Sequence, residues 1–372
     1  MIDDYTLKVT IDAPKAYFLS KLTYSVAFVV DQENVAQGTD WWHQPNGTGP
    51  FRLKKWQPEL AVVLEASPAH HLGTPQIQYV LFRLWGGIPL VLYETGEIDA
   101  ATVGVSNIER VSDPTNPLSR ELHLFPQLNV SYISFNHTRP PFDDPLVRRA
   151  FAMSIDKDKL ARVVLKDMVQ PAGGFLPPGL PGYNPDLTPL SFDPSQAQEM
   201  LDASSYGGAE GLPIITYTTS GEGGPASDLD SAILQEIRIN LGVEFRIRQL
   251  SPEIYFYRLV EEKDDLFDFG WNADYPDPQN FLDILFHSDS QQNDGEYTNP
   301  KLDVLLEQVR VEPDRGKRLR LYQEIEQGLV DDAAAIPLWF GRNYMLIKPY
   351  VKGFALSPLG IPMLREVSLN RP

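Results

Sequence analysis

Cysteine is absent from the 372 residues. Disulfides, zinc–thiolate centres and thiol nucleophiles are excluded together, while the redox compartment stays open. Long apolar runs are missing too: nothing approaches the roughly 18 residues of a membrane span. The longest stretches, at 24–30 and 79–84, are of strand length. Positive charge is scarce, with 32 Lys and Arg against 50 Asp and Glu and a net charge of −18. Such a surface repels phosphate backbones and anionic lipid unless a local basic patch intervenes, and no patch is visible along the chain. The densest basic stretch, RGKRLR at 315–320, reads as the solvated face of an amphipathic helix, so no nucleic-acid partner is expected. At the amino end MIDDYTLKVTI has neither a basic n-region nor an apolar h-region, and no secretory signal is expected in this chain.

What is present describes a folded protein. Hydrophobic residues make up 42% and aromatics 11%, enough for a core in each of two or three domains. Tyr5, Leu7, Val9 and Ile11 alternate with polar residues and predict a strand almost at the first residue. Strands are expected at 60–65, 78–84, 99–103, 121–125 and 130–135, with a helix at 89–95 stopped by Gly96. Asp143 or Asp144 then caps a helix over 145–155 that opens on Pro145. The stretch PAGGFLPPGLPGYNPDLTP at 171–189 can continue neither a helix nor a central strand, and reads as a long ordered crossing loop. Beyond it helices (194–203, 225–241, 252–261) alternate with strands (213–218, 243–249, 268–271). This predicts an α/β domain with a largely parallel sheet. Helices at 300–311 and 314–331, an extended stretch at 335–338 and a strand at 344–347 complete the chain. The expected division is 1–135, 136–343 and a tail, 344–372, that returns to the first domain.

Enzyme motifs are weak. GEGGPA, from Gly221 to Ala226, fits G-x-G-x-x-A between a strand and a helix. The acid that should end the following strand is misplaced, with Glu244 near its start and Arg248 near its end, so a glycine-rich turn explains the letters and no cofactor is expected. The six histidines include one close pair, His70 and His71, whose side chains diverge in a regular element; no metal site is expected. No G-x-S-x-G elbow occurs, and paired acids carry little information among 50 carboxylates. The chain reads as a non-enzyme. The informative segment is GWNADYPDPQNFLDILF at 270–286, where a strand ending in Trp271 runs into Asp274 and an amphipathic helix. Aromatics beside a lone acid at the carboxyl end of a strand suit a site for a cation or amine. The same letters also serve if Asp274 or Asp277 caps the helix and Trp271 is core, and the chemistry leaves both readings open.

At this point the chain resembles the family 5 solute-binding proteins of oligopeptide and dipeptide ABC importers. The blocks that carry the resemblance are NGTGPF (46–51), LYETGEIDAA (92–101), SYISFNHTRPPFDDPLVRRAFAMSIDKDKL (131–160), GWNADYPDPQNFL (270–282), YTNPKLDVLLEQ (297–308), RLYQEIEQGLVDDAAAIPLW (320–339) and VKGF (351–354). They occur in the family's order and cover nearly the whole chain.

The resemblance implies a two-lobed α/β fold of the class II periplasmic-binding-protein type, in which the lobes close on a short peptide held through its backbone. It implies that Gly270, Trp271 and Asn272 offer the strand edge, that Trp271 and Tyr275 line the site, and that Asp274 pairs with the ligand's α-amino group. Tyr132 and Asn136, where the chain passes between lobes, are weaker ligand-binding candidates, and Asp99 is expected to be structural. The implied partners are the peptide and the permease subunits of the importer, and the implied location is periplasmic or extracellular, membrane-associated in a full-length form. Family members are longer at the front, so the first lobe is expected to be incomplete, with an unpaired edge open to self-association. Within the family an oligosaccharide or a chelated metal is the alternative ligand; outside it, an α/β enzyme with a nucleotide at 221–226.

Overall fold

The computed structural model describes residues 2–371, which fall into two compact units. The smaller comprises Leu22–Gln127 and Arg342–Pro372, the larger Met1–Lys21 and Leu128–Gly341. Residues 128–135 and the first 21 therefore group with the larger unit, not with the 1–135 segment that the sequence suggested.

The chain enters through two short helices, α1 (Phe18–Lys21) in the larger unit and α2 (Gln32–Val35) in the smaller. The expected strand around Tyr5, Leu7, Val9 and Ile11 is not formed. Those side chains are exposed at 99, 72, 55 and 36%, and apart from a bridge between Asp3 and Thr6 no described strand pairs with them. Alternation supplies an apolar face, but a strand also needs a neighbour for its backbone.

In the smaller unit β1 (Phe51–Gln57), β2 (Ala61–Ala66) and β3 (Tyr79–Arg83) form an antiparallel sheet. Helix α3 (Pro89–Glu94) ends as expected before Gly96, whose φ of 78° is the left-handed conformation glycine supplies. β4 (Ala100–Thr102), α4 (Val105–Ser112) and β5 (Leu122–Pro126) follow.

The larger unit opens with β6 (Asn129–Phe135) and α5 (Pro145–Met153). Of the two candidate caps it is Asp144 that accepts the Leu146 N–H, at 2.8 Å. α6 (Lys157–Val163) and β7 (Val169–Pro171) lead to the proline-rich loop, which is ordered and helix-free. Its Phe175 and Leu176 N–H groups both donate to Glu326 Oε1 at 2.8 Å. Gly174 leaves room for that contact, because a Cβ there would force both Glu326 and Leu187 to shift.

Then come α7 (Pro194–Ala203), β8 (Ile215–Ser220), α8 (Asp228–Leu241), β9 (Phe245–Leu250), α9 (Tyr255–Glu262), β10 (Leu266–Asn272), α10 (Gln279–Phe286), α11 (Pro300–Val311) and α12 (Arg315–Asp331). α8 starts at 228 and not 225 because Ser227 caps it, accepting from the Asp230 N–H at 3.0 Å. The extended stretch and the last strand are one element, β11 (Ala335–Ile347), followed by β12 (Val351–Lys352) and β13 (Ser368–Leu369).

The sheet of the larger unit runs β11-β6-β10-β8-β9. It is mixed, not largely parallel. The helix crossovers make β9, β8 and β10 parallel, but β6 enters antiparallel to both β10 and β11. Beneath it Phe135, Phe142, Phe151, Ile133 and Ile336 form a fully buried core. Beyond Gly341, in the smaller unit, β11 pairs with β4 and β5.

Glu326 is 2% exposed, and burial pushes its carboxyl from 4.5 up to about 7, against two N–H donors that favour the charge. Between those values the folded chain keeps a proton that the unfolded chain has released. Its contribution to stability is therefore full below pH 4.5 and lost as pH rises through about 7. Glu326→Gln is expected to remove that share, about 3 kcal/mol, from the fall in stability over this window. Urea midpoints at a series of pH values measure it, and parallel profiles for the two proteins would refute the assignment.

Candidate functional site

The candidate site grows from the end of β10. Along one side β10 is paired with β6 from Leu266↔Phe135 to Asn272↔Asn129. On the other side β8 pairs with it only at Leu266 and Phe267. The Asn136 N–H donates to Asp265 O, and the Ala273 N–H to Leu128 O, each at 2.9 Å. Antiparallel bonding alternates, so the odd residues between face β6 and Gly270 turns its N–H and C=O to the other side. No described strand occupies that side beyond Phe267. Gly270 and Asn272 are exposed there, and Gly270 has no side chain to keep a second backbone away.

Past the strand the chain turns, and one side chain fixes the turn. Asn280, on the first turn of α10 and 1% exposed, accepts from the Asp274 N–H at 2.8 Å and from Trp271 Nε1 at 3.3 Å. Its Nδ2 donates to Asp274 Oδ2 at 3.2 Å. Trp271 is half-buried and held by its indole N–H, neither free nor core. Helix capping falls to Asp277, which accepts from the Gln279 N–H at 3.0 Å. Asp274 is left half-buried, with Asn280 as its side-chain donor and no ion pair with any described residue.

Asp277 is itself clamped. Arg318 donates to its two oxygens at 3.0 and 2.5 Å, and the residues are 5 and 6% exposed. This corrects the reading of 315–320 as a wholly solvated face: Arg318 alone among its four cations turns inward, because Asp277 waits there.

The structure brings Gly270, Trp271, Asn272, Asp274 and Tyr275 together. Tyr275 is 5% exposed and donates its hydroxyl to Gln279, so it braces the turn. Tyr132 lies opposite Phe269 on β6, its ring centroid 5.6 Å from that of Phe269 and 6.1 Å from that of Phe175. Asn136 is not brought in. It stands at the other end of the β6–β10 ladder, roughly 20 Å along the strand from Asn272, and its Oδ1 accepts from Thr138 Oγ1 at 2.8 Å. GEGGPA forms the turn between β8 and α8, where the Gly223 N–H donates to Gln249 Oε1 at 2.6 Å. Sequence reasoning missed Asn280 and Arg318. An Asn on the first turn after an aspartate-rich bend was the available signal for the former.

Compared with known proteins, residues 1–293 match the model of the bacterial extracellular solute-binding proteins, family 5 Middle. The chain belongs to this family. Among family 5 relatives, the dipeptide-binding protein DppE of Bacillus subtilis is 26% identical over 99% of this chain and 69% of its own length. The probable deoxycholate-binding periplasmic protein YgiS of Escherichia coli is 29% identical over 95% of this chain and 67% of its own. The chain thus spans about two thirds of the length of these relatives. Among structures, the ABC transporter-associated periplasmic binding protein DppA of Helicobacter pylori, in complex with the peptide STSA, covers 100% of this chain at 23% identity. Its TM-score is 0.83, and 73% of that chain is covered. The fold is that of the two-lobed periplasmic binding proteins, and the proteins of this family bind solutes rather than transform them.

Asn280→Ala would leave the Asp274 and Trp271 N–H groups without their acceptor. The expected loss of stability is about 1 to 3 kcal/mol, read as a lowered denaturant midpoint together with a shift in Trp271 fluorescence. An unchanged midpoint would show that the turn does not depend on Asn280.

Proposed function

We propose that the chain binds a short peptide along the edge of β10, with the peptide's amino group on Asp274, as the extracytoplasmic solute-binding component of an ABC importer. The observation that carries this reading is the pairing of an unpartnered strand edge at Gly270 with a half-buried carboxylate that lacks a cation. Backbone bonding to a strand edge accepts any sequence. A carboxylate opposite an ammonium fixes where the peptide starts without reading its side chains. Trp271 supplies an apolar wall, and Tyr132 packs against Phe269, two residues before Trp271 on the same strand.

The relative named for dipeptides supports this ligand class. Another relative is named a probable deoxycholate-binding protein, and Asp274 here would repel an anionic group such as the carboxylate of deoxycholate. In this reading the chain is not an enzyme and requires no cofactor. It hands its ligand to membrane permease subunits outside the cytoplasm. Among the described residues no helix is long and apolar enough to cross a membrane.

Asp274→Asn is expected to weaken binding of free-amine tri- to pentapeptides by about 2 to 5 kcal/mol, because the ligand ammonium would be left buried and unpaired. Calorimetric titration measures the change. N-acetylated peptides should bind the unaltered chain as poorly as free peptides bind the variant, and equal affinity for acetylated and free peptides would overturn the role of Asp274.

A further inference from the structure

The smaller unit holds a cavity of about 380 Å³ whose lining includes Arg120, His123, Lys348 and Lys352 and no Asp or Glu. In a chain with a net charge of −18 this concentration of one sign is unexpected, and it corrects the absence of a basic patch inferred from the linear sequence. Arg120 ends a 3-10 turn, Pro117–Arg120, and His123 lies on β5, whereas Lys348 follows β11 directly and Lys352 lies on β12. The antiparallel pairing of β5 with β11, which sets His123 opposite Met345, brings these distant segments together.

Arg120 and Lys352 are uncompensated, whereas Lys348 helps Arg110 hold the Glu94 carboxyl below its usual range. The side chains of Arg120, His123 and Lys352 have no hydrogen-bond or ion-pair partner among the described residues, and the Lys348 ammonium lies 3.9 Å from the centroid of the Tyr93 ring. Elsewhere in the same unit basic side chains are paired, Arg83 with Glu97 and Arg110 with Glu94, each at 2.8 Å. Like charges lining one cavity repel. An anion relieves that repulsion. Three cationic side chains match a dianion with several acceptor oxygens better than a single carboxylate. Val351 and Phe354 add an apolar wall for an organic body. A cavity of this size admits a small molecule and not a nucleic-acid strand, and the overall acidity opposes an anionic membrane surface.

We propose that this cavity binds the phosphate group of a small soluble phosphate ester. The site is separate from the β10 edge, so its test does not depend on peptide binding. The full chain is titrated calorimetrically with glycerol 3-phosphate, and sedimented with phosphatidic acid vesicles, whose headgroup is likewise a phosphate monoester. Saturable uptake of glycerol 3-phosphate is expected, weakened about tenfold or more by the double substitution Arg120→Gln with Lys352→Gln. A control that removes the same two charges from the larger unit, Lys301→Gln with Arg315→Gln, should leave the affinity unchanged. All four side chains are exposed, and thermal melts verify that both variants are folded. No saturable uptake would overturn the proposal, as would equal weakening by the two variants, which would mark a diffuse charge effect. Vesicle binding without uptake of the soluble probe would also overturn it, by assigning the cavity to a lipid headgroup.

Discussion

The turn that carries the candidate site is held by a guanidinium withdrawn from water. Arg318 on α12 grips both oxygens of Asp277, and Asp277 also caps α10. One carboxylate thereby serves a neighbouring helix and the start of its own. A second ion pair, Arg310 to Asp283, ties α11 to the same helix with bonds of 2.9 and 2.7 Å. Burying such pairs costs desolvation, yet losing one partner strands the other charge at a cost of about 3 to 5 kcal/mol. With α10 held by α11 and α12, Asn280 has a fixed base from which to reach back to Trp271 and Asp274. Asp274 can then remain without a cation because its neighbours, not a counter-charge, hold its backbone in place.

Much of the fold was legible because local chemistry and tertiary structure agree. Proline and a short polar cap open α5, α7 and α11 where the letters suggested, and the alternation of helices with strands gave the parallel part of the sheet. Failures came where a local pattern needs a remote partner. Tyr5 to Ile11 has the period of a strand and no neighbour to pair with. Arg318 sits in a basic run whose direction was decided by Asp277 on another element. β11 was read as two pieces, although the chain between them continues as strand across Gly341 and Arg342.

The candidate site shows the same division. Trp271 and Asp274 were visible as residue types at the end of a strand, but the open side of Gly270 depends on where β8 stops pairing, which no local pattern encodes. The basic cavity is a stronger case. Arg120 and Lys352 lie in segments far apart in the chain, each ordinary in its own context, and the charge concentration exists only after β5 has met β11. An acidic chain can therefore present a carboxylate without an ion pair in one unit and a group of basic side chains in the other. Net charge describes the average surface and neither of these sites.

β11 has a consequence for how the protein is made. It fills the place beside β6 in the sheet of the larger unit, and contacts across that seam join residues as far apart as His137 and Ala334, which are 197 positions apart and linked at 2.8 Å. A ribosome would release β6 and its core long before the strand that must lie against it. In the interval an internal edge of the sheet stands open to strangers, and loop closure of this length slows the ending. Biosynthesis of this fold thus has a built-in waiting period before its final pairing arrives.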